Sequence, residues 1–99
     1  MIRHLVLWTL NEEAKNEGVE KVAGILDASA RNMVGKIPGL LKSEVRVNEQ
    51  AGPHEVVLYS EFARKEDISL YLDHPVHQTH RKLVHTYISG REAVDIEAD

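Results

Sequence analysis

Ile2-Arg3-His4-Leu5-Val6-Leu7-Trp8-Thr9-Leu10 decides the fold, because it alternates as a β-strand does while leaving both of its faces apolar. Ile2, His4, Val6, Trp8 and Leu10 share one face; Arg3, Leu5, Leu7 and Thr9 share the other. A strand of this kind needs cover on both sides. His54 to Phe62 repeats the pattern, with Val56, Leu58 and Phe62 on a face opposite Val57 and Tyr59.

Outward from the first strand, Asn11 offers a side-chain cap, and Glu12 and Glu13 suit the positive end of a helix. Val19, Val22, Leu26, Met33 and Ile37, filled in by Ala23, Ile25, Ala30 and Val34, recur at helical spacing up to the Ile37-Pro38-Gly39 stop. The spacing predicts one helix over this stretch, weakened and bent at Gly18 and Gly24. Leu41, Ser43, Val45 and Val47 then alternate with Lys42, Glu44, Arg46 and Asn48, which predicts an edge strand with one solvated face. A polar connection through Gly52-Pro53 leads to the His54–Phe62 strand.

A short helix is expected from Lys65 to Leu72, burying Ile68, Tyr71 and Leu72. A residue before proline avoids the α region and proline suits the first helical position, so a new helix should start at Pro75, with Val76, Leu83, Val84 and Tyr87 as its apolar contacts. Ile88 to Ile96 is read as the last strand, its signal diluted by Ser89-Gly90-Arg91-Glu92. The order β-α-β-β-α-(α)-β predicts an α+β, ferredoxin-like fold: a four-stranded antiparallel sheet with helices on one face. Helices cover only that face, so the other is expected to pack on a second copy of the same sheet in a homodimer.

With 99 residues, 42% hydrophobic and 28% charged, the chain reads as a single domain spanning 1–99. Its net charge of −4, with scattered basic residues, argues against nucleic acid as a partner. It has no cysteine, which removes disulfides, thiolate catalysis and Cys-rich metal sites. No apolar run approaches the roughly 20 residues of a membrane span, and the start runs straight into the first strand, so no membrane association and a cytoplasmic location are expected.

The chemical interest lies in Tyr71-Leu72-Asp73-His74-Pro75-Val76-His77, where a proline corner can aim Tyr71 and His77 into one pocket. His77 falls in the first turn of a helix, whose partial positive charge disfavours imidazolium and leaves a neutral base. With Tyr71 donating a hydrogen bond to a carbonyl, the pair suits enolisation or an aldol-type closure. The alternative reading is a buried Tyr and His bonded to each other or to backbone. His4 shares its strand face with Val6 and Trp8 and either points at the same pocket or is a satisfied core histidine. His74, His77 and His80 are spaced by three, but no carboxylate with suitable spacing accompanies them, and helix capping explains His74 better than a metal does. His54 and His85 are read as surface residues, and Asp95 either faces solvent or pairs with a neighbour. No G-x-S-x-G, P-loop or G-x-G-x-x-G is present, and neither metal nor cofactor is expected.

Across nearly its whole length the chain resembles the stress-responsive A/B barrel (Dabb) family of dimeric α+β barrel proteins. The likeness lies in Ile2-Arg3-His4-Leu5-Val6-Leu7, Ile37-Pro38-Gly39, Glu55-Val56-Val57-Leu58-Tyr59-Ser60-Glu61-Phe62, the Tyr71–His77 run and Val94-Asp95. The resemblance implies the same dimeric fold. It also implies one of three roles: a binder of a small organic molecule without assigned catalysis, a cofactor-free cyclase, isomerase or lyase, or a structural, stress-associated oligomer. By motif match to a cyclase branch, His77 would be the base and Tyr71 would orient a carbonyl, with His4 assisting. Val6, Trp8 and His80 are expected to line the same pocket. The chain departs from that branch in having only Trp8, Tyr59, Phe62, Tyr71 and Tyr87 as aromatics, and His80-Arg81 makes the helix polar, which favours a small or polar ligand over a long polyketide.

Overall fold

Two apolar-faced strands lie side by side at the centre of the sheet. The computed structural model describes residues 1–98. Its elements run β1 (Ile2–Leu10), α1 (Glu12–Glu17), α2 (Val19–Asn32), β2 (Leu40–Val47), β3 (Val56–Phe62), α3 (Glu66–Asp73), α4 (Pro75–Tyr87) and β4 (Ile88–Glu97). The strands order β2-β3-β1-β4, all neighbours antiparallel, so β1 and β3 are central and β2 is an edge. This is the expected ferredoxin-like α+β arrangement, with both halves' helices on one face.

The inward face of β1 is buried at Ile2, His4, Val6, Trp8 and Leu10. Val6, Trp8 and Leu10 join Val22, Leu26 and Ala30 of α2, Val45, Val56 and Leu58 of the sheet, and Val84 of α4 in the main core. A second cluster of Ile2, Met33, Ile37, Leu40, Phe62 and Tyr71 fills the end where the α2–β2 connection meets α3.

Four local expectations are corrected. The single first helix is two, broken at Gly18, whose φ of 116° few L residues adopt and which stands between Glu17 and Val19. The second helix stops at Asn32 rather than Ile37; Val34 therefore lies outside it and is exposed. In β2 the register on β3 shifts between Leu40 and Lys42, so Leu40 takes the buried place and Leu41 points to solvent. Leu72 is exposed at the end of α3, whereas Tyr71 is fully buried and Ile68 half-buried.

The turn before β2 is tightly determined. Gly39 has φ 83°, and a Cβ there would overlap the carboxyl of the buried Asp67. That carboxyl accepts hydrogen bonds from the Arg64 backbone N–H at 3.0 Å and its guanidinium at 3.2 Å, anchoring the start of α3. Among the described residues no helix is long and apolar enough to cross a membrane.

Candidate functional site

α3 ends because His74 adopts an extended conformation, φ −70° and ψ 136°, as a residue before proline prefers. Its Nδ1 accepts the Val76 N–H at 3.1 Å, and Pro75 opens α4. This corner sets Tyr71 and His77 against each other with ring centroids 4.0 Å apart. Tyr71 also meets the edge of Phe62, 5.0 Å between centroids, which fixes the phenol ring.

His77 donates from Nδ1 to the Leu72 carbonyl at 3.3 Å, leaving Nε2 as the unprotonated nitrogen. Burial is the main cause that lowers its pKa below the ordinary histidine value; the Leu72 bond opposes it, and the positive charges of Arg81, His4 and Arg91 add to it. Near pH 7 the ring is a neutral base. Burial pushes the Tyr71 phenol the other way, upward, with the Arg91 charge opposing. It stays a neutral O–H donor.

His4, on β1, faces Asp95 directly across the β1–β4 pair, and its Nδ1 bonds the Asp95 carboxylate. That pairing holds the ring beside Phe62 and Tyr71, with centroids 5.9 Å and 6.1 Å away. His80, one turn along α4 from His77, bonds Ser29 of α2 through Nδ1 at 2.7 Å. Its Nε2 is buried without a hydrogen-bond partner, and burial, with the His77 charge second, lowers its pKa to about 4.

These groups surround a cavity of about 190 Å³ between α3–α4 and the β1–β4 side of the sheet. All six residues singled out from the sequence line it: His77, Tyr71, His4, Val6, Trp8 and His80. It combines a neutral base, a phenolic donor and two further imidazoles with apolar walls, a set suited to binding a carbonyl compound and moving a proton on it. Among the described residues no three of His, Asp and Glu are placed to hold a metal ion.

The remaining histidines divide. His74 is spent on capping. His54 is only partly exposed, held by Thr9 Oγ1 at 3.0 Å and Glu92 at 3.4 Å. His85 is exposed, as expected, yet reaches the cavity rim. Nothing in the sequence marks Arg91, Leu72 and Ser29 as parts of the site, and the sequence is consistent with either of two roles for Asp95. The signal for Asp95 was its alternation with Val94 and Ile96, which becomes decisive once β4 is known to pair with β1.

The model of the stress responsive A/B barrel domain family matches residues 2–98. A dimeric protein of unknown function with a ferredoxin-like fold from Bacteroides fragilis is similar in structure, with TM-score 0.83, 28% identity and coverage of 98% of this chain and 95% of that one. A protein from Arabidopsis thaliana superposes with TM-score 0.82 at 16% identity, covering 100% and 96%. An antibiotic biosynthesis monooxygenase superposes with TM-score 0.73 at 14% identity, covering 100% and 99%. No curated protein matches the sequence.

Proposed function

The chain belongs to the stress responsive A/B barrel domain family, and from that premise we propose that it is a cytoplasmic, single-domain homodimer that binds a small organic molecule in its helix–sheet cavity. The observation that carries this reading is the cavity itself, where the Tyr71 hydroxyl and His77 Nε2 have no hydrogen-bond partner among the described residues. Its volume of about 190 Å³ falls below the ~300 Å³ at which sites for drug-sized ligands begin, so the ligand is small.

A second reading, cofactor-free proton transfer, is favoured by the 4.0 Å between the ring centroids of Tyr71 and a His77 that burial keeps neutral. His77 Nε2 would take a proton from carbon next to a carbonyl, while the Tyr71 O–H donates to the oxygen on which negative charge develops. The His4–Asp95 pair would hold the second imidazole beside that oxygen. The likeness to a monooxygenase, at 14% identity, carries fold alone and assigns no oxygen chemistry.

Ligand-observed NMR with a panel of small oxo compounds tests both readings. Binding should be lost or weakened about tenfold in Tyr71→Phe and His77→Ala, with melting and oligomeric state retained. Exchange of carbon-bound protons for deuterium in the bound compound, abolished by His77→Ala, identifies proton transfer. If the two variants lose stability and no compound binds either form, the residues serve only to lock the corner.

A further inference from the structure

We propose that the ligand of this cavity carries a carboxylate, held at the mouth by Arg81 and Arg91, with its carbonyl end toward Tyr71 and His77. The proposal rests on the small-molecule reading above and names the ligand's class.

Arg81 follows His80 on α4, and Arg91 lies on β4 opposite Trp8, so two different elements each bring an arginine to the lining of the same cavity. Neither is in an ion pair among the described residues. Of the other arginines, Arg31, Arg46 and Arg64 each bond a carboxylate of the protein, and Arg3, which lies on the opposite face of the sheet from the cavity, is in no ion pair among the described residues. Both cavity arginines act electrostatically on His77, and Arg91 acts on Tyr71 as well, so their charge is felt at the reactive end.

Among the described residues no Asp or Glu lines the cavity. Asp95, next to it on β4, is already bound to His4. A chain of net charge −4 thus walls this pocket with two arginines, four histidines and a tyrosine among apolar side chains. A guanidinium presents its donors in a planar fork that a carboxylate matches. Deeper in, His80 Nε2 is buried without a partner although the residue is only 4% exposed. An unsatisfied polar atom on the cavity wall offers a bond to a ligand atom or to a water. The apolar walls of Val6, Trp8 and Val84 leave room for a short carbon chain between the two polar ends.

The test compares isosteric pairs of oxo acids and oxo amides, beginning with 4-oxopentanoate and 4-oxopentanamide, titrated by NMR into the 99-residue chain at low ionic strength. The acid should bind at least about tenfold more tightly, and raising the salt should shrink that advantage. In the double variant Arg81→Gln, Arg91→Gln the ratio of acid to amide affinity should fall to near one while the melting temperature stays unchanged. Equal affinity of acid and amide for the unmodified protein, or a preference that survives the double variant, overturns the carboxylate assignment and leaves small-molecule binding intact. Binding of neither member by any pair in the series overturns both.

Discussion

His80 sits where a proton is expensive. Its Nδ1 is engaged by Ser29 and its Nε2 has no partner, and burial holds the ring neutral down to about pH 4. In the unfolded chain the same imidazole protonates near 6.5. The folded state therefore binds fewer protons than the unfolded one between these values, and its stability is fully present above 6.5 and lost as pH falls toward 4. The gap corresponds to about 3 kcal/mol for His80, and His77, shifted in the same direction, adds to it. Denaturant unfolding at pH 7.0, 5.5 and 4.5 should show this decline, and His80→Gln, less stable at pH 7, should show a flatter one. An equal slope in the variant would remove His80 as the cause. Tyr71, His77, His4 and His80 stand out in the chain alone because their residue types announce chemistry. Arg91 carries no such mark: in a stretch as polar as Ser89-Gly90-Arg91-Glu92 only the pairing of β4 with β1 shows that Arg91 and Asp95 share the inward face with His4 and Trp8.

The elements hold the cavity by a few specific ties. Asp27 of α2 accepts the Val45 N–H of the edge strand at 2.9 Å and the Arg31 Nε at 2.8 Å. Burial alone would raise its pKa, but these bonds and the nearby Arg46 outweigh it and the net shift is downward. The bond occupies an amide that an edge strand would otherwise offer to another chain. Asp27→Ala should cost about 1–2 kcal/mol and speed hydrogen exchange at Val45, while Asp27→Asn, which keeps an acceptor, should retain much of the protection. Unchanged exchange at Val45 would show that the tie does not guard the edge. Element order and type were legible because apolar periodicity is the face that each element buries. The breaks were not. Gly18 interrupts an amphipathic pattern that continues in phase on both sides, and the extra residue at Leu41 reverses the strand's faces without any change in its alternation. Each is settled by tertiary fit rather than by local preference.

At the scale of the whole molecule, the sheet has a second face that its own helices do not reach. Register places Leu5 and Leu7 of β1 beside Val57 and Tyr59 of β3 and, on the other side, Val94 of β4, with Ile96 next to Arg3. Val94 and Ile96 are 49% and 46% exposed, and charged residues such as Lys42, Arg46, Glu61 and Glu92 rim the patch. An apolar centre with a polar rim is how a protein–protein interface is built, and a two-fold axis lets one such patch satisfy another. The structurally similar Bacteroides fragilis protein is dimeric. Sedimentation of the unmodified chain should accordingly give a dimer at micromolar concentration, with a melting temperature that rises with concentration, as mass action requires when association stabilises the fold. Leu5→Asp, at the centre of the patch between Tyr59 and Val94, should shift it to monomer or to unfolded chain. The concentration dependence of the unmodified protein separates these outcomes from a simple folding defect. Because the β1 and β4 residues that line the cavity lie on the sheet face turned away from the apolar patch, a folded monomeric variant should still bind the oxo acid. A monomeric unmodified protein with a concentration-independent melt would leave the apolar face unexplained and remove the homodimer.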